Sequence, residues 1–396
     1  MKILMKILVW MFMGFDKHTT SEHLFTAIIE QICKKNNSVH IIQKYTGGDL
    51  PSIPSSLSQY DIVTNTINEK KIEKNNLVKR YIEELSYIND SKQYFWEDYD
   101  SVFIQSNNVA GFAVKAIRNK CGNVNITFNV QDIFPYNALF SGKLKKKSIE
   151  FKILSMVQRY AYKKSNHIIT ISEDMKELLI QDGVSNKKIS VIYNWSYQNH
   201  VYDSEKMDFA CLTDMFSRQY FNVVYAGNIG VMQNVDVIIE AAKLLKRRKD
   251  IWFHVIGDGV YTEKLQQRTI EYGISNITFL PMQSPDLAPY IYSIADINII
   301  PLVKNVYKTA LPSKTATCLA CQKPIIFAIG TESLFGKKIK EETGCSVVES
   351  DDAEALVSEI LKIKDEKIKF NYKDFFEKYF SRRNAMEYVE IITNTR

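Results

Sequence analysis

At 396 residues, 45% apolar and 24% charged, the chain is long enough for two globular domains with real cores and shows no bias towards disorder. Six cysteines scattered over that length do not make a disulfide framework, which points to a reducing cytoplasm. The net charge of +6 is modest, so no nucleic-acid partner is expected.

The opening MKILMKILVWMFMGF invites a signal-peptide reading. Lys6 interrupts its apolar run, however, no small-residue cleavage site follows, and the run is too short to span a bilayer. A buried first strand is expected there, and no other segment reads as transmembrane. TTSEHLFTAIIEQICKK follows as a helix, with Thr19 and Glu22 spaced as a capping box and Leu24, Phe25, Ile28, Ile29 and Ile32 on one face. SVHIIQK, YDIVTNTI, SVFIQS, NITFNV, HIITIS and KISVIYN continue a series of short apolar strands, separated by helices such as NNVAGFAVKAIRNK and SEDMKELLIQDG. After a polar, irregular stretch from about Trp195 to Arg218 the alternation starts again. FNVVYAG, WFHVIGDG, NITFLP, DINIIPL and KPIIFAI read as strands of a second sheet, joined by helices such as NVDVIIEAAKLLKRRKD and TEKLQQRTIEYG. The tail FNYKDFFEKYFSRRNAMEYVEIITN is helical, with Ser381 as a cap between two segments. Such alternation is the signature of stacked βαβ units, whose ligands bind beyond the carboxyl ends of the strands.

Charge is uneven. Between Pro135 and Ser165 stand Lys143, Lys145, Lys146, Lys147, Lys152, Arg159, Lys163 and Lys164 against the single acid Glu150, a local excess of seven that accounts for the whole net balance. The lysines interleave with Ile149, Phe151, Ile153, Leu154, Met156 and Val157. That pattern suits an interfacial helix, with Lys145, Lys146 and Lys147 touching the inner face of the cytoplasmic membrane, and equally an ordinary helix with its apolar face in the core.

Two loops of the second half end strands in glycine. YAGNIG lets Gly227 and Gly230 bring backbone close to a ligand. IGDG, with Gly257, Asp258 and Gly259, has two readings, a plain turn or the other wall of the same crevice. ALPSKTATCLACQKP sets a turn before a helix N-terminus, where outward N–H groups and the charge of Lys314 suit an anion; Pro312 has no N–H, so Ser313, Lys314 and Thr315 are the expected donors. In the first half Asp132 of QDIFP follows a strand, placed either for chemistry or as a turn former. CLAC, at Cys318 and Cys321, has metal spacing without a second pair and reads as packing. Asp98 and Asp100 precede a strand, the wrong end for a site, and His40 and His254 lie inside strands as core residues.

The ordered set VVYAGNIGVMQNVDVIIEAAKLL, FHVIGDG, NITFLPMQSPDLAPYIYSIADINIIPL, LPSKTATCLACQKPII and GCSVV resembles the retaining family-four glycosyltransferases, most of all the branch that assembles bacterial surface polysaccharides. NVQDIFPYNALFSG and KISVIYNWSY are similar to that branch's first-domain motifs, so the resemblance covers most of the chain. It implies an α/β GT-B fold: two Rossmann-like doubly wound domains facing across a cleft, with residues 1–200 holding the acceptor, 201–377 the donor, and 378–396 crossing back to the first domain. It further implies metal-independent, retaining transfer of a hexosyl or N-acetylhexosaminyl group from a nucleotide-diphosphate sugar, with uridine the favoured base. The acceptor is a saccharide or a polyprenyl-diphosphate-linked glycan of capsule, O-antigen or exopolysaccharide. Phosphates are expected at Gly227, Asn228, Gln233 and the Ser313–Thr315 turn, the base near Gly257, Asp258 and Met282, the ribose at Thr317, and the acceptor at Asp132.

The chain departs from the family at the charged positions. Asn228 and Gln233 stand for the usual Arg and Lys, Thr309 and Thr317 for two glutamates, and Asn129, Gln131 and Asp132 surround the place of a missing histidine. A leaving diphosphate needs cationic or N–H stabilisation, which makes Lys314 its expected source. The same departures leave room for an inactive relative that binds a saccharide or a partner, or for another GT-B enzyme such as a nucleotide-sugar epimerase. The epimerase lacks support in any carboxylate–histidine cluster.

Overall fold

A computed structural model of the chain describes residues 5–15, 21–45, 52–68, 77–197, 201–202, 216–217 and 219–394. The chain divides into two compact units, Met1–Asn194 with Arg382–Arg396, and Trp195–Ser381.

The first unit contains β1 (Lys6–Trp10), α1 (Glu22–Lys34), β2 (Ser38–Tyr45), β3 (Ile62–Asn68), α2 (Leu77–Ser91), β4 (Ser101–Gln105), α3 (Ala110–Cys121), β5 (Asn125–Val130), α4 (Tyr136–Phe140), α5 (Ile149–Lys164), β6 (His167–Thr170), α6 (Glu173–Gln181) and β7 (Ile189–Val191). Its strands form one seven-stranded sheet in the order β3-β2-β1-β4-β5-β6-β7, every pairing parallel. The second unit contains β8 (Phe221–Ala226), α7 (Asp236–Leu244), β9 (Ile251–Ile256), α8 (Thr262–Glu271), β10 (Ile277–Leu280), α9 (Ala288–Ile294), β11 (Ile297–Pro301), α10 (Lys314–Ala320), β12 (Ile325–Ala328), α11 (Leu334–Thr343), β13 (Ser346–Val348), α12 (Ala353–Glu366) and α13 (Lys373–Tyr379). Its six strands run parallel in the order β10-β9-β8-β11-β12-β13. Both orders reverse direction once, after β1 and after β8, as doubly wound sheets do.

Strands buried on both faces explain the continuous apolar runs: Ile7, Leu8, Val9 and Trp10 of β1, and Val223, Val224 and Tyr225 of β8, are almost wholly out of solvent. On α1 the expected face, Leu24, Phe25, Ile28, Ile29 and Ile32, is the buried one. Its cap differs from the expectation: Ser21 takes the N-cap position without a side-chain bond, and Thr19 lies outside the described residues. True side-chain caps occur where a strand-like residue precedes the helix, as when Ser172 accepts from the Met175 N–H at 3.2 Å and Asp352 from the Ala355 N–H at 2.8 Å. Each is worth ~1 kcal/mol.

The last helix, α14 (Asn384–Thr393), packs on α1, β4 and β5 of the first unit. The Ser101 hydroxyl donates to the Ile392 carbonyl at 2.7 Å, and Tyr388 meets Phe103 edge-on at 5.9 Å between ring centroids. Arg383, not Ser381, holds the N-cap position of α14, because the chain keeps turning for two residues beyond Ser381.

Candidate functional site

In the second unit the winding reverses between β8 and β11. These two strands pair only at Ile297 with Val223 and Asn298 with Val224, so they part towards their carboxyl ends. The opening lies where doubly wound sheets hold ligands. The Tyr292 hydroxyl of α9 donates to the Ala226 carbonyl at the end of β8, at 3.1 Å. The loops after β8 and β9 are fused by backbone bonds, Gly227 N–H to the Ile256 carbonyl and Ile229 N–H to the Asp258 carbonyl, both 2.8 Å. Gly257 makes this possible: a Cβ there would lie 1.9 Å from the Gly227 carbonyl oxygen. IGDG is therefore a wall of the crevice as well as a turn. Asp258 is exposed beyond it, and Met282, 50% exposed, follows β10 on the next strand over.

Lys314 is the group this crevice is built around. It opens α10, its stem partly exposed, yet its Nζ atom is buried and has no hydrogen-bond partner. The ammonium sits 3.7 Å from the centroid of the Tyr225 ring. A Cβ on Gly227, whose φ is +138°, would meet Nζ at 2.8 Å, so the glycine leaves the space that the lysine fills. Burial without a counter-charge pushes the ammonium down to about 7. Tyr225 is held beneath it by its own hydroxyl, which donates to the Asn228 carbonyl at 2.5 Å. Nothing in the sequence marks Tyr225 beyond its place two residues before Gly227.

The other expected donor-side residues divide. Ser313 is exposed. The Thr315 N–H is already given to the Pro312 carbonyl at 3.0 Å, so the free amides of this turn belong to Ser313 and Lys314. The Thr315 hydroxyl is buried without a partner. The Asn228 amide approaches the Gln233 carbonyl oxygen at 3.4 Å, and both side chains would touch a Cβ on Gly230. Thr309 is wholly buried and donates to the Val306 carbonyl at 2.9 Å, so its hydroxyl is spent inside the fold. Thr317 on α10 is only partly buried. Cys318 is buried, its thiol pushed far up by desolvation, and Cys321 donates to the Pro289 carbonyl at 3.4 Å, as packing residues do.

In the first unit, Asp132 follows β5 and is half-buried, with no side-chain hydrogen bond or ion pair among the described residues. Desolvation pushes its carboxyl up to about 7. Its neighbour Gln131 is pinned on every side. It accepts from Asn194 at 2.6 Å, donates to Asn129 at 2.9 Å, and reaches the Tyr388 hydroxyl of α14 at 3.4 Å. The loop carrying Asp132 is thereby tied to the first unit's last residue before the boundary and to the returning helix. Sequence reading saw Gln131 only as a neighbour of a missing histidine. Asp98 and Asp100 bind Lys6 at the entrance of β4, and His40 and His254 are buried among side-chain hydrogen bonds to Asn65 and Asn222. Lys145, Lys146 and Lys147 stand exposed between α4 and α5.

Residues 25–195 match the family described as Glycosyltransferase Family 4, and residues 220–366 match Glycosyl transferases group 1. Between them the two matches take in most of the chain, and the chain has the GT-B glycosyltransferase fold. The chain is 25% identical over 220 residues to the probable glycosyltransferase WbjE of Pseudomonas aeruginosa, 54% of this chain and 53% of that one. It is 28% identical over 200 residues to the putative colanic acid biosynthesis glycosyl transferase WcaI of Escherichia coli K12, 49% of this chain and 48% of that one. The matches thus span about half the length of these curated relatives. Among solved structures, the Anabaena protein Alr3699/HepE, in complex with UDP and glucose, superposes with a TM-score of 0.69 at 14% identity, covering 98% of both chains.

Proposed function

We propose that the protein is a retaining, metal-independent glycosyltransferase that moves a hexosyl or N-acetylhexosaminyl group from a UDP-sugar to a saccharide or lipid-linked acceptor in bacterial surface-polysaccharide synthesis. The observation that carries the proposal is Lys314: a buried ammonium with no partner, held against Gly227 at the crevice of a doubly wound sheet. An unpaired buried cation is costly unless a ligand brings the opposite charge, and a diphosphate brings two. As the bond from the sugar's anomeric carbon to the diphosphate oxygen breaks, negative charge collects on that oxygen. Lys314 and the free Ser313 and Lys314 amides stabilise it there. Uridine is favoured because a neighbour of the same fold was solved with UDP. The surface-polysaccharide setting is supported by the likeness to the colanic acid relative.

On this reading the base lies between Asp258 and Met282, and Thr317 offers the ribose a hydroxyl where a carboxylate is usual, so affinity rests on the phosphates. The first unit binds the acceptor, with Asp132 receiving its reacting hydroxyl. A carboxyl held near 7 can take up a proton at neutral pH. The test is a thermal-shift panel of UDP-, GDP- and TDP-sugars, followed by transfer assays with the stabilising donor. A melting temperature unmoved by every nucleotide sugar would defeat the proposal and favour an inactive relative.

A further inference from the structure

The Lys314 amine has a close neighbour that the proposed chemistry leaves unused. Tyr225 is the first residue of β8 beyond its last pairing with β11, at Val224, while β9 still pairs with it at Val255. Its side chain is buried, yet the ring is not sealed wholly into apolar packing: it meets the Lys314 ammonium, 3.7 Å from the ring centroid. The hydroxyl donates to the Asn228 carbonyl at 2.5 Å, which fixes the ring and ties it to the loop after β8. Gly227, at a φ of +138°, also borders the amine, and a Cβ there would meet Nζ at 2.8 Å and Cε at 3.1 Å. The other titratable groups packed around this place are Cys318, one turn on in α10, and Tyr292 of α9, whose hydroxyl goes to the Ala226 carbonyl; burial keeps both neutral. Among the described residues no carboxylate pairs with the amine.

We propose that Tyr225 is a positioning residue of the donor site, its ring holding the Lys314 amine charged and in place for a diphosphate. The inference rests on the reading of this crevice as a nucleotide-sugar site and adds the group that keeps the cation there before the anion arrives. Burial of an isolated ammonium favours its neutral form, and something must oppose that if the site is to offer charge. A carboxylate would do so by forming an ion pair, which an arriving diphosphate would then have to break, leaving a buried anion uncompensated. An aromatic ring attracts the ammonium through its quadrupole and brings no net charge of its own, so the full positive charge stays available to a ligand. A tyrosine that served the core alone would need neither the amine over its ring nor a hydroxyl tied to the loop that the amine borders. In this role Tyr225 acts through Lys314 and need not touch the nucleotide.

The experiment follows the Lys314 amine by NMR in the empty, full chain labelled at lysine Cε and Nζ, the signal being assigned by its loss in Lys314→Met. Titrations compare wild type with Tyr225→Phe, which keeps the ring and drops the hydroxyl, and with Tyr225→Leu, which drops both. Removing the ring should lower the amine's titration point by about one pH unit, whereas Tyr225→Phe should titrate close to wild type. Leucine leaves a cavity in a tyrosine site, so phenylalanines of increasing ring fluorination at position 225 form a second series that nearly keeps the shape and withdraws charge from the ring face; the titration point should fall step by step along it. UDP affinity should then be about tenfold weaker in Tyr225→Leu than in Tyr225→Phe near pH 8, and the gap should close by about pH 5. The proposal is overturned if the amine titrates alike in the phenylalanine, leucine and fluorinated proteins. It is equally overturned if Tyr225→Phe shifts the amine as far as Tyr225→Leu does, which would make the bond from the hydroxyl to Asn228 the agent. A wild type that binds no UDP, with an amine that still follows the ring series, defeats the donor-site reading and not the contact between ring and amine.

Discussion

Replacing Lys314 with methionine keeps the length and apolar stem of the side chain and removes the amine. In the native protein burial holds this ammonium at about 7, against 10.5 for an unperturbed lysine. The unfolded chain therefore binds more protons than the native one between about pH 7 and about pH 10.5, and stability rises with pH through that window. Below about pH 7 both states are protonated and the full penalty of a buried charge is present. At ~1.4 kcal/mol per pKa unit the displacement is on the order of 5 kcal/mol, and partial exposure of the stem reduces this to ~2–3 kcal/mol.

Lys314→Met should then melt roughly 5–10 °C above wild type near pH 7, with the gap closing by about pH 10. UDP reverses the order. Its diphosphate favours the charged amine, so wild-type affinity for UDP should fall as pH rises above about 7, while the variant should bind weakly and with little pH dependence over that range. Turnover in the variant should drop by roughly a hundred- to a thousandfold, the usual loss for a preorganised donor to a developing oxyanion. Scanning fluorimetry across pH, with and without UDP, reads the first two effects, and a donor-turnover assay the third. A variant that melts at or below wild type at every pH, with an unchanged UDP shift and full turnover, refutes the reasoning at its root.

Thr317→Ala should lower donor affinity and turnover clearly less than the lysine substitution, since a neutral hydroxyl contributes about half as much as a charge-assisted bond; equal losses in a parallel titration would move the phosphate contact to Thr317. Gly227→Ala places a Cβ 2.8 Å from Lys314 Nζ at a φ of +138°, so it should cost ~1–3 kcal/mol in melting experiments and weaken UDP binding in the same variant. Asp132→Asn should leave UDP affinity intact and reduce turnover. The native carboxyl titrates at about 7 and the unfolded one near 3.8, so wild-type stability falls as pH rises through that window; the variant should gain stability relative to wild type above about pH 7 and match it near pH 3. A variant with normal turnover would leave Asp132 as a turn former.

Periodicity made most of the fold legible. The buried face of α1 and the largely apolar strands β1, β8, β11 and β12 follow directly from spacing. Caps were less legible. Ser172 caps α6, which the sequence reading left unmarked, while the turn after Ser381 runs on to Arg383; helix ends are set by tertiary packing to within a residue or two. The orientation of α5 was hidden for a sharper reason. Its inward face carries Ser155 and Gln158, which hydropathy assigns to solvent, and its outward face carries Ile149, Ile153 and Met156, which hydropathy assigns to the core. Only the close approach of Gly111 and the Gln158 bond decide between them.

The same limit applies at the candidate donor site, where residue types were legible and their availability was not. Asn228 and Gln233 are visibly neutral in the sequence, yet only the structure shows their side chains turned towards each other across Gly230. Thr309 and Thr317 occupy equivalent places in the pattern, eight residues apart, yet one hydroxyl is spent on Val306 and the other is not buried. The neutrality of the loop after β8 and the burial of Lys314 are two halves of one arrangement. Nearby cations at residues 228 and 233 would repel an ammonium that already lacks a partner, at a few kcal/mol each for separations of about 6 Å at an effective dielectric of about 20. With amides there instead, one lysine can occupy the space left by Gly227 over the Tyr225 ring, and the positive charge at the crevice comes from the turn before α10 and not from the loop after β8. If the proposed diphosphate binds there, an amine that titrates at about 7 when the site is empty takes up a proton with it.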